Sequence, residues 1–230
     1  MHTFFAGVDF WQLIPSAGDV MMNYGTIRRK KIKIIPAFGK FFLDSGGFTE
    51  IFRFGKYTFS SAEYYDFVIN HDIDYFATMD YPCEPSVINK TGMSVQKHII
   101  LTVESNLDLM NIDCVVPVIQ GYNIDDYIFC CDLMKDYGCE KDYMAVGTLC
   151  KRTKAAEVVE ILTAIKFEFP QSKLHAFGLK KNFIPKVKDL IYSSDSIAWF
   201  YFKRGGFDKK IPVMQQYASD IRTKYCGDAL

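Results

Sequence analysis

Six short apolar runs in this 230-residue chain each end, or nearly end, on a carboxylate, an amide or a glycine. Phe41-Phe42-Leu43 runs into Asp44-Ser45-Gly46-Gly47-Phe48, and Tyr75 to Met79 reaches Asp80. Val115 to Ile119 reaches Gln120-Gly121, Tyr143 to Val146 reaches Gly147, and Leu174 to Phe177 reaches Gly178. The sixth, around Asp195, is irregular: the aspartate precedes the apolar stretch Ile197 to Phe202 instead of following it. Polar groups repeated at strand ends are the layout of a site assembled from several C-terminal strand ends, as on a (β/α) barrel. Paired glycines beside a carboxylate let backbone N–H groups come close to a ligand.

Helical patterns fill most of the intervals. Ser60 and Glu63 read as a capping box ahead of Tyr64, Phe67 and Val68. Asn123 caps a helix carrying Tyr127, Cys130, Cys131 and Met134, with Gly138 past its end. Val158, Ile161, Leu162 and Ile165 repeat at helical spacing before Pro170. Strands are expected near 3–8, 19–23, 40–44, 75–80, 114–120, 143–149, 173–178 and 193–197. The longest connection, 81–113, carries Pro82, Pro85 and Gly92 before a helix around 94–110. Eight strands alternating with helices predict the α/β class, as a single (β/α)8 TIM-like barrel over residues 1–230. Val213, Tyr217 and Ile221 read as a closing helix, and no linker, repeat or low-complexity tract divides the chain.

No apolar stretch approaches the roughly 20 residues that span a bilayer. The first residues lack the basic-then-apolar pattern of a leader, so a cytoplasmic setting is expected. Most of the seven cysteines sit inside apolar patterns, and neither CxxC nor CxC spacing occurs. Reduced, buried thiols follow, and no metal is expected; Cys130, Cys131 and Cys139 with a histidine form the weaker alternative. The 27 basic and 27 acidic residues cancel, so no global attraction to nucleic acid arises. Basic clusters nevertheless follow the strand runs: Arg28 and Arg29, Lys151 and Arg152, Lys180 and Lys181, Lys203 and Arg204. Parallel strands would bring these to the face carrying the polar strand ends, a rim suited to a polyanion.

Taken singly, each polar position is ordinary. A strand-end aspartate is commonly a helix cap, Gly147 and Gly178 fit tight strand packing, and His175 reads as a satisfied core histidine. Their order along the chain is more informative. Leu43-Asp44-Ser45-Gly46-Gly47-Phe48, Ala77-Thr78-Met79-Asp80, Val118-Ile119-Gln120-Gly121, Ala145-Val146-Gly147 and His175-Ala176-Phe177-Gly178 occur in succession, and Ser194-Asp195-Ser196 follows. This series resembles the tRNA-guanine transglycosylase superfamily, and within it the 7-deazaguanine DNA transglycosylases (the DpdA group) of phages and bacterial DNA-modification clusters. The DSGGF segment is the most specific part of the likeness.

The resemblance implies that Asp195 is the nucleophile at C1′ of a guanosine nucleotide and Asp44 the acid/base. It implies a base site of Asp80, Gln120 and the Gly147 backbone, with Phe48 stacking on the purine and Ser45, Gly46, Gly47, Gly121 and Gly178 around it. The partners implied are DNA and a free 7-deazaguanine such as preQ0 or a relative. No redox or phosphoryl step enters, so no cofactor is implied. The tRNA enzymes carry a zinc subdomain with closely spaced cysteines; its absence from this sequence moves the expectation from tRNA toward DNA. A tRNA substrate, a catalytically silent nucleic-acid-binding subunit, and a phosphate-binding metabolic barrel are the competing readings.

Overall fold

The computed structural model of the chain describes residues 2–6, 19–32, 39–196, 216, 219 and 220. Residues 216, 219 and 220 are helical, whereas Val213, Tyr217 and Ile221 of the expected closing helix, and Lys203 and Arg204, lie outside the described residues. Within them the chain is α/β and every strand pairing is parallel. The strands are β1 (His2–Ala6), β2 (Val20–Asn23), β3 (Phe41–Asp44), β4 (Tyr75–Ala77) and β5 (Val115–Val116). They continue as β6 (Val118–Ile119), β7 (Tyr143–Val146), β8 (Lys173–Ala176) and β9 (Ser193–Ser196). Their hydrogen-bonded order is β5-β4-β3-β2-β1-β9-β8-β7-β6.

The run expected as one strand over 114–120 is split in two at Pro117, which has no N–H to give to a ladder. The chain changes partners at this residue. The Val116 carbonyl accepts from Thr78 N at 3.3 Å, beside β4, whereas the Pro117 carbonyl accepts from Ala145 N at 2.9 Å, in β7. The first and last strands of the hydrogen-bonded order are therefore joined through a single residue.

β9 defies the pattern that marks the others. Its residues, Ser-Ser-Asp-Ser, include no apolar side chain, yet all four are buried. Pairing on both sides, with β1 and β8, satisfies its backbone. The Ser193 hydroxyl lies 2.7 Å from His175 Nδ1 and 2.6 Å from the Tyr143 hydroxyl. The strand thus holds Asp195 itself, ahead of the apolar run that obscured its position in the sequence.

Helices start at both expected caps, Ser60 and Asn123, although at Ser60 only the serine half of the expected box forms. Asn23 accepts from Thr26 N to open α1 (Tyr24–Lys30), and Gly46, at φ 85, opens α2 (Gly47–Phe54). Ser60 and Ser94 cap α3 (Ser61–Ile69) and α5 (Val95–Leu109). Asn123 and Asp126 form a full capping box on α6 (Ile124–Asp136). The long connection holds an extra turn of helix, α4 (Pro85–Thr91), with proline at its first position. α7 (Ala155–Glu168) buries the Val158, Ile161, Leu162 and Ile165 stripe, and α8 (Ile184–Val187) precedes β9.

Strand alternation sorts the core into layers. Phe4, Met21, Phe42, Ala77, Val116, Val118 and Ala145 pack with one another on one face of the sheet. Val20, Met22, Phe41, Leu43 and Phe76 face the other way and are covered by Tyr24, Ile27, Ile51, Tyr64 and Val68 of α1 to α3. Ile119, Met144, Val146 and Leu174 are likewise covered by residues of α5 to α8. Each large side chain so buried contributes on the order of 1.5–3 kcal/mol. No helix among the described residues is long and apolar enough to cross a membrane.

Candidate active site

A cavity of about 300 Å³ opens at the C-terminal ends of the strands, at the lower end of the range for small-molecule sites. Asp44, Gly47, Phe48, Asp80, Gln120, Gly147, Gly178 and Asp195 all line it, although they come from six separate segments of the chain. Ser45, Gly46 and Gly121 do not line it. Ser45 stands behind the wall, where its hydroxyl donates to Asp80 Oδ1 at 3.1 Å. Gly121 backs onto the start of α6, where a Cβ would lie 2.7 Å from Tyr127 N.

The DSGGF segment is shaped by crowding as much as by exposure. Gly46 adopts φ 85 and donates its N–H to Asp44 Oδ1 at 3.1 Å; a Cβ there would fall 2.1 Å from Asn23 Nδ2. A Cβ on Gly47 would come within 2.5 Å of both the carbonyl and a carboxylate oxygen of Asp80. The glycines thus draw the β3 and β4 ends together and set Asp44 beside Asp80. Two carboxylates in so confined a space disfavour each other's charge. Burial, the neighbouring Asp80 charge and the Asp195 charge raise Asp44 to about 7. Burial raises Asp80 to about 6, with Gln120 and Ser45 as donors pulling the other way.

Gln120 bridges two segments. Its Nε2 donates to Asp80 Oδ2, and its Oε1 accepts from the Thr148 hydroxyl at 2.6 Å. Gly147 must lack a side chain for this to happen, since a Cβ would sit 2.1 Å from Gln120 Nε2. Thr148 holds φ 55, a left-handed conformation that β-branched residues rarely adopt. Its hydroxyl also accepts from Cys83 N at 2.9 Å and lies 3.3 Å from Glu84 Oε2.

Glu84 lines the cavity at 3 % exposure, and among the described residues no basic side chain is paired with it. Its contacts are the Thr148 hydroxyl and the Cys150 thiol, whose sulfur is 3.5 Å from Oε1. Burial raises the Glu84 carboxyl above its ordinary range. Sequence reasoning missed Glu84, Thr148 and Asn23. Asn23 is aligned with Asp44 in the β2–β3 register, and its Nδ2 donates to Asp44 Oδ2 at 3.5 Å. A polar residue ending β2 was visible as the same signal that marked the other strands.

Asp195 projects from β9 at the opposite wall. Its Oδ1 accepts from Gly178 N at 2.6 Å, and Gly178 reaches this position with φ 61. His175 Nε2 lies 3.4 Å from the same oxygen. The expectation of a satisfied core histidine holds for one ring nitrogen only. Nδ1 meets Ser193, whereas Nε2 is buried with no hydrogen-bond partner.

Phe48 is partly buried at the cavity mouth, stacked on Phe52 at 5.6 Å, with Lys151 Nζ 5.4 Å from its ring centre. Lys180 is exposed and lies over Phe183. The other basic candidates among the described residues are tied to the protein. Arg28 pairs with Glu63, Arg29 with the fully buried Glu50, and Lys181 with Asp220. Arg152 donates to the Thr148 and Tyr122 carbonyls. The six described cysteines are unpaired, and no group of three or more possible metal ligands occurs among the described residues.

A family described as DpdA, DeoxyPurine in DNA protein A, matches residues 2–219. No curated protein matches the chain.

Proposed function

This chain belongs to the DpdA family, and on that premise we propose that it exchanges guanine in DNA for a free 7-deazaguanine base. The observation that carries the reading is the meeting of Asp44 and Asp195, 151 positions apart in the sequence by their numbering, on one cavity of base-compatible size. Breaking an N-glycosidic bond builds positive charge at C1′, which a carboxylate beneath the sugar stabilises and captures. Asp195 forms an Oδ–C1′ bond while the C1′–N9 bond breaks, and the bonding pair leaves with the purine. Asp44, raised to about 7, holds a proton at neutral pH for the departing guanine. It then takes one from the ring nitrogen of the incoming base, which attacks C1′ and releases Asp195. Two displacements retain configuration at the sugar.

Asp80, Gln120 and the Gly147 backbone supply the acceptors and donors for a purine edge, and Phe48 supplies a face for stacking. The target nucleotide must leave the helical stack to reach them, at a cost of about a few kcal/mol. Lys151 and Lys180 offset part of that through phosphate contacts. The strand order supports a closed (β/α)8 barrel, since Pro117 alone separates the strands at its two ends.

The test is nucleoside analysis of DNA and of tRNA from cells expressing the chain with a 7-deazaguanine supply. Modified deoxynucleosides are expected, and their absence from DNA with their presence in tRNA would transfer the activity to RNA. Asp195→Asn should abolish both exchange and a denaturation-resistant DNA adduct. An Asp195→Asn protein that exchanges bases at the native rate would refute the proposal.

A further inference from the structure

His175 is wholly buried, and four aromatic rings enclose it. Phe42 and Phe177 lie with ring centres 4.8 Å and 4.9 Å away, Phe4 at 5.8 Å and Tyr143 at 6.4 Å. Polar groups meet it at its two nitrogens, the Tyr143 hydroxyl adding a longer contact of 3.5 Å to Nδ1. Nδ1 faces the Ser193 hydroxyl at 2.7 Å, and Nε2 faces Asp195 Oδ1 at 3.4 Å without completing a hydrogen bond. Which nitrogen carries the proton is decided at the Asp195 end, because the Tyr143 and Ser193 hydroxyls, 2.6 Å apart, can pair in either direction. With Tyr143 donating to Ser193, the serine proton goes to His175 Nδ1, which accepts. The imidazole proton is left on Nε2, aimed at Asp195. The opposite tautomer would turn a lone pair toward a carboxylate in a dry site and leave a buried acceptor without a donor, the costlier arrangement.

Resting on the exchange reading above, we infer that His175 is a positioning residue for Asp195, its Nε2–H joining the Gly178 N–H on Oδ1 so that Oδ2 is the oxygen that bonds to C1′. In the covalent intermediate Oδ1 becomes the carbonyl oxygen of an aspartyl ester. Two donors on that oxygen withdraw electron density and make the aspartate a better leaving group. The second displacement forms the bond from C1′ to the incoming nitrogen and breaks Oδ2–C1′, the pair returning to the carboxylate. Neither displacement draws a proton from His175.

Two measurements test this on the full chain. The protein has four histidines, His2, His71, His98 and His175, few enough to assign in ¹⁵N-histidine-labelled protein. Long-range nitrogen–proton spectra should show His175 protonated at Nε2 and not at Nδ1, with the Nε2–H signal moving in Asp195→Asn. A proton on Nδ1 would overturn the inference whatever the activity. The kinetic arm compares His175→Leu with His175→Gln, whose amide reaches the same place as Nε2. Leu should lower kcat about 10–100-fold, the range for losing an orienting partner, with KM for DNA and base within about threefold and more enzyme trapped as adduct. Gln should recover most of the loss. Equal losses in both variants, or a loss expressed in KM, would mark His175 as structural filling. If His175→Leu does not fold, the tautomer and the Gln variant decide. No exchange by the native chain would count against the proposed function, and a wrong tautomer against His175; the two failures are distinct.

Discussion

On the wall built by the ends of β3 and β4, two carboxylates are pressed together. Glycines 46 and 47 bring Asp44 beside Asp80, no cation among the described residues pairs with them, and both are raised, to about 7 and about 6. On the wall built by β8 and β9, a single carboxylate stands among donors, with the Gly178 N–H on Oδ1 and an imidazole nitrogen facing it. The same side chain thus meets a second carboxylate on one side and hydrogen-bond donors on the other. In the exchange proposed above, that difference gives the acid/base work to Asp44 and the nucleophilic work to Asp195.

The largest test of that contrast removes the charge on the β9 wall. Asp195→Asn should lower base exchange by about 10⁴-fold or more, as read by exchange of radiolabelled guanine, with DNA affinity in a filter-binding assay little changed. Asp44→Asn should cost less, about 10²–10⁴-fold, and should remove the limb near pH 7 from the rate profile of the native chain. If both variants lose activity equally at every pH, the two walls do not divide the labour.

The same substitution has an opposite effect on stability. A carboxyl whose folded value is raised above its unfolded one favours the folded state at low pH, and that contribution is lost as pH rises from about 4 through about 7. Asp44→Asn should therefore stabilise the chain by about 1–3 kcal/mol at pH 8 and much less at pH 4, measured by urea unfolding at both values. The basic residues sharpen the comparison at smaller scale. Arg29→Ala leaves Glu50 buried without its partner and should destabilise by about 2–4 kcal/mol with the salt dependence of DNA binding unaltered. Lys151→Ala should spare stability and lower the slope of log affinity against log salt by about 1. A reversed outcome would move Arg29 to the DNA-facing rim.

Much of the β3–β4 wall was legible in the sequence because its signal is local: an apolar strand running into Asp-Ser-Gly-Gly, and another into Asp80. The β8–β9 wall was harder. Asp195 sits in a strand made of serines and an aspartate, so no apolar alternation announces it, and the strand exists because β1 and β8 flank it. The orphaned nitrogen of His175 depends on a contact between adjacent strands, which no spacing encodes. Glu84 and Thr148 were missed for a similar reason, since one lies inside a proline-rich connection and the other owes its role to an unusual backbone angle. The position of a basic cluster after a strand does not reveal which of its members are already paired to acids of the protein, as Arg28 and Arg29 are.

Thr148 carries a consequence for how this pocket can change. Its left-handed backbone would be relaxed by glycine, a replacement that would firm up the fold locally while deleting the hydroxyl shared by Gln120, Glu84 and Cys83. Selection for robustness and selection for recognition therefore pull this one position in contrary directions. A laboratory screen for heat-resistant variants should recover glycine there, and with it a chain whose discrimination between purines is blunted.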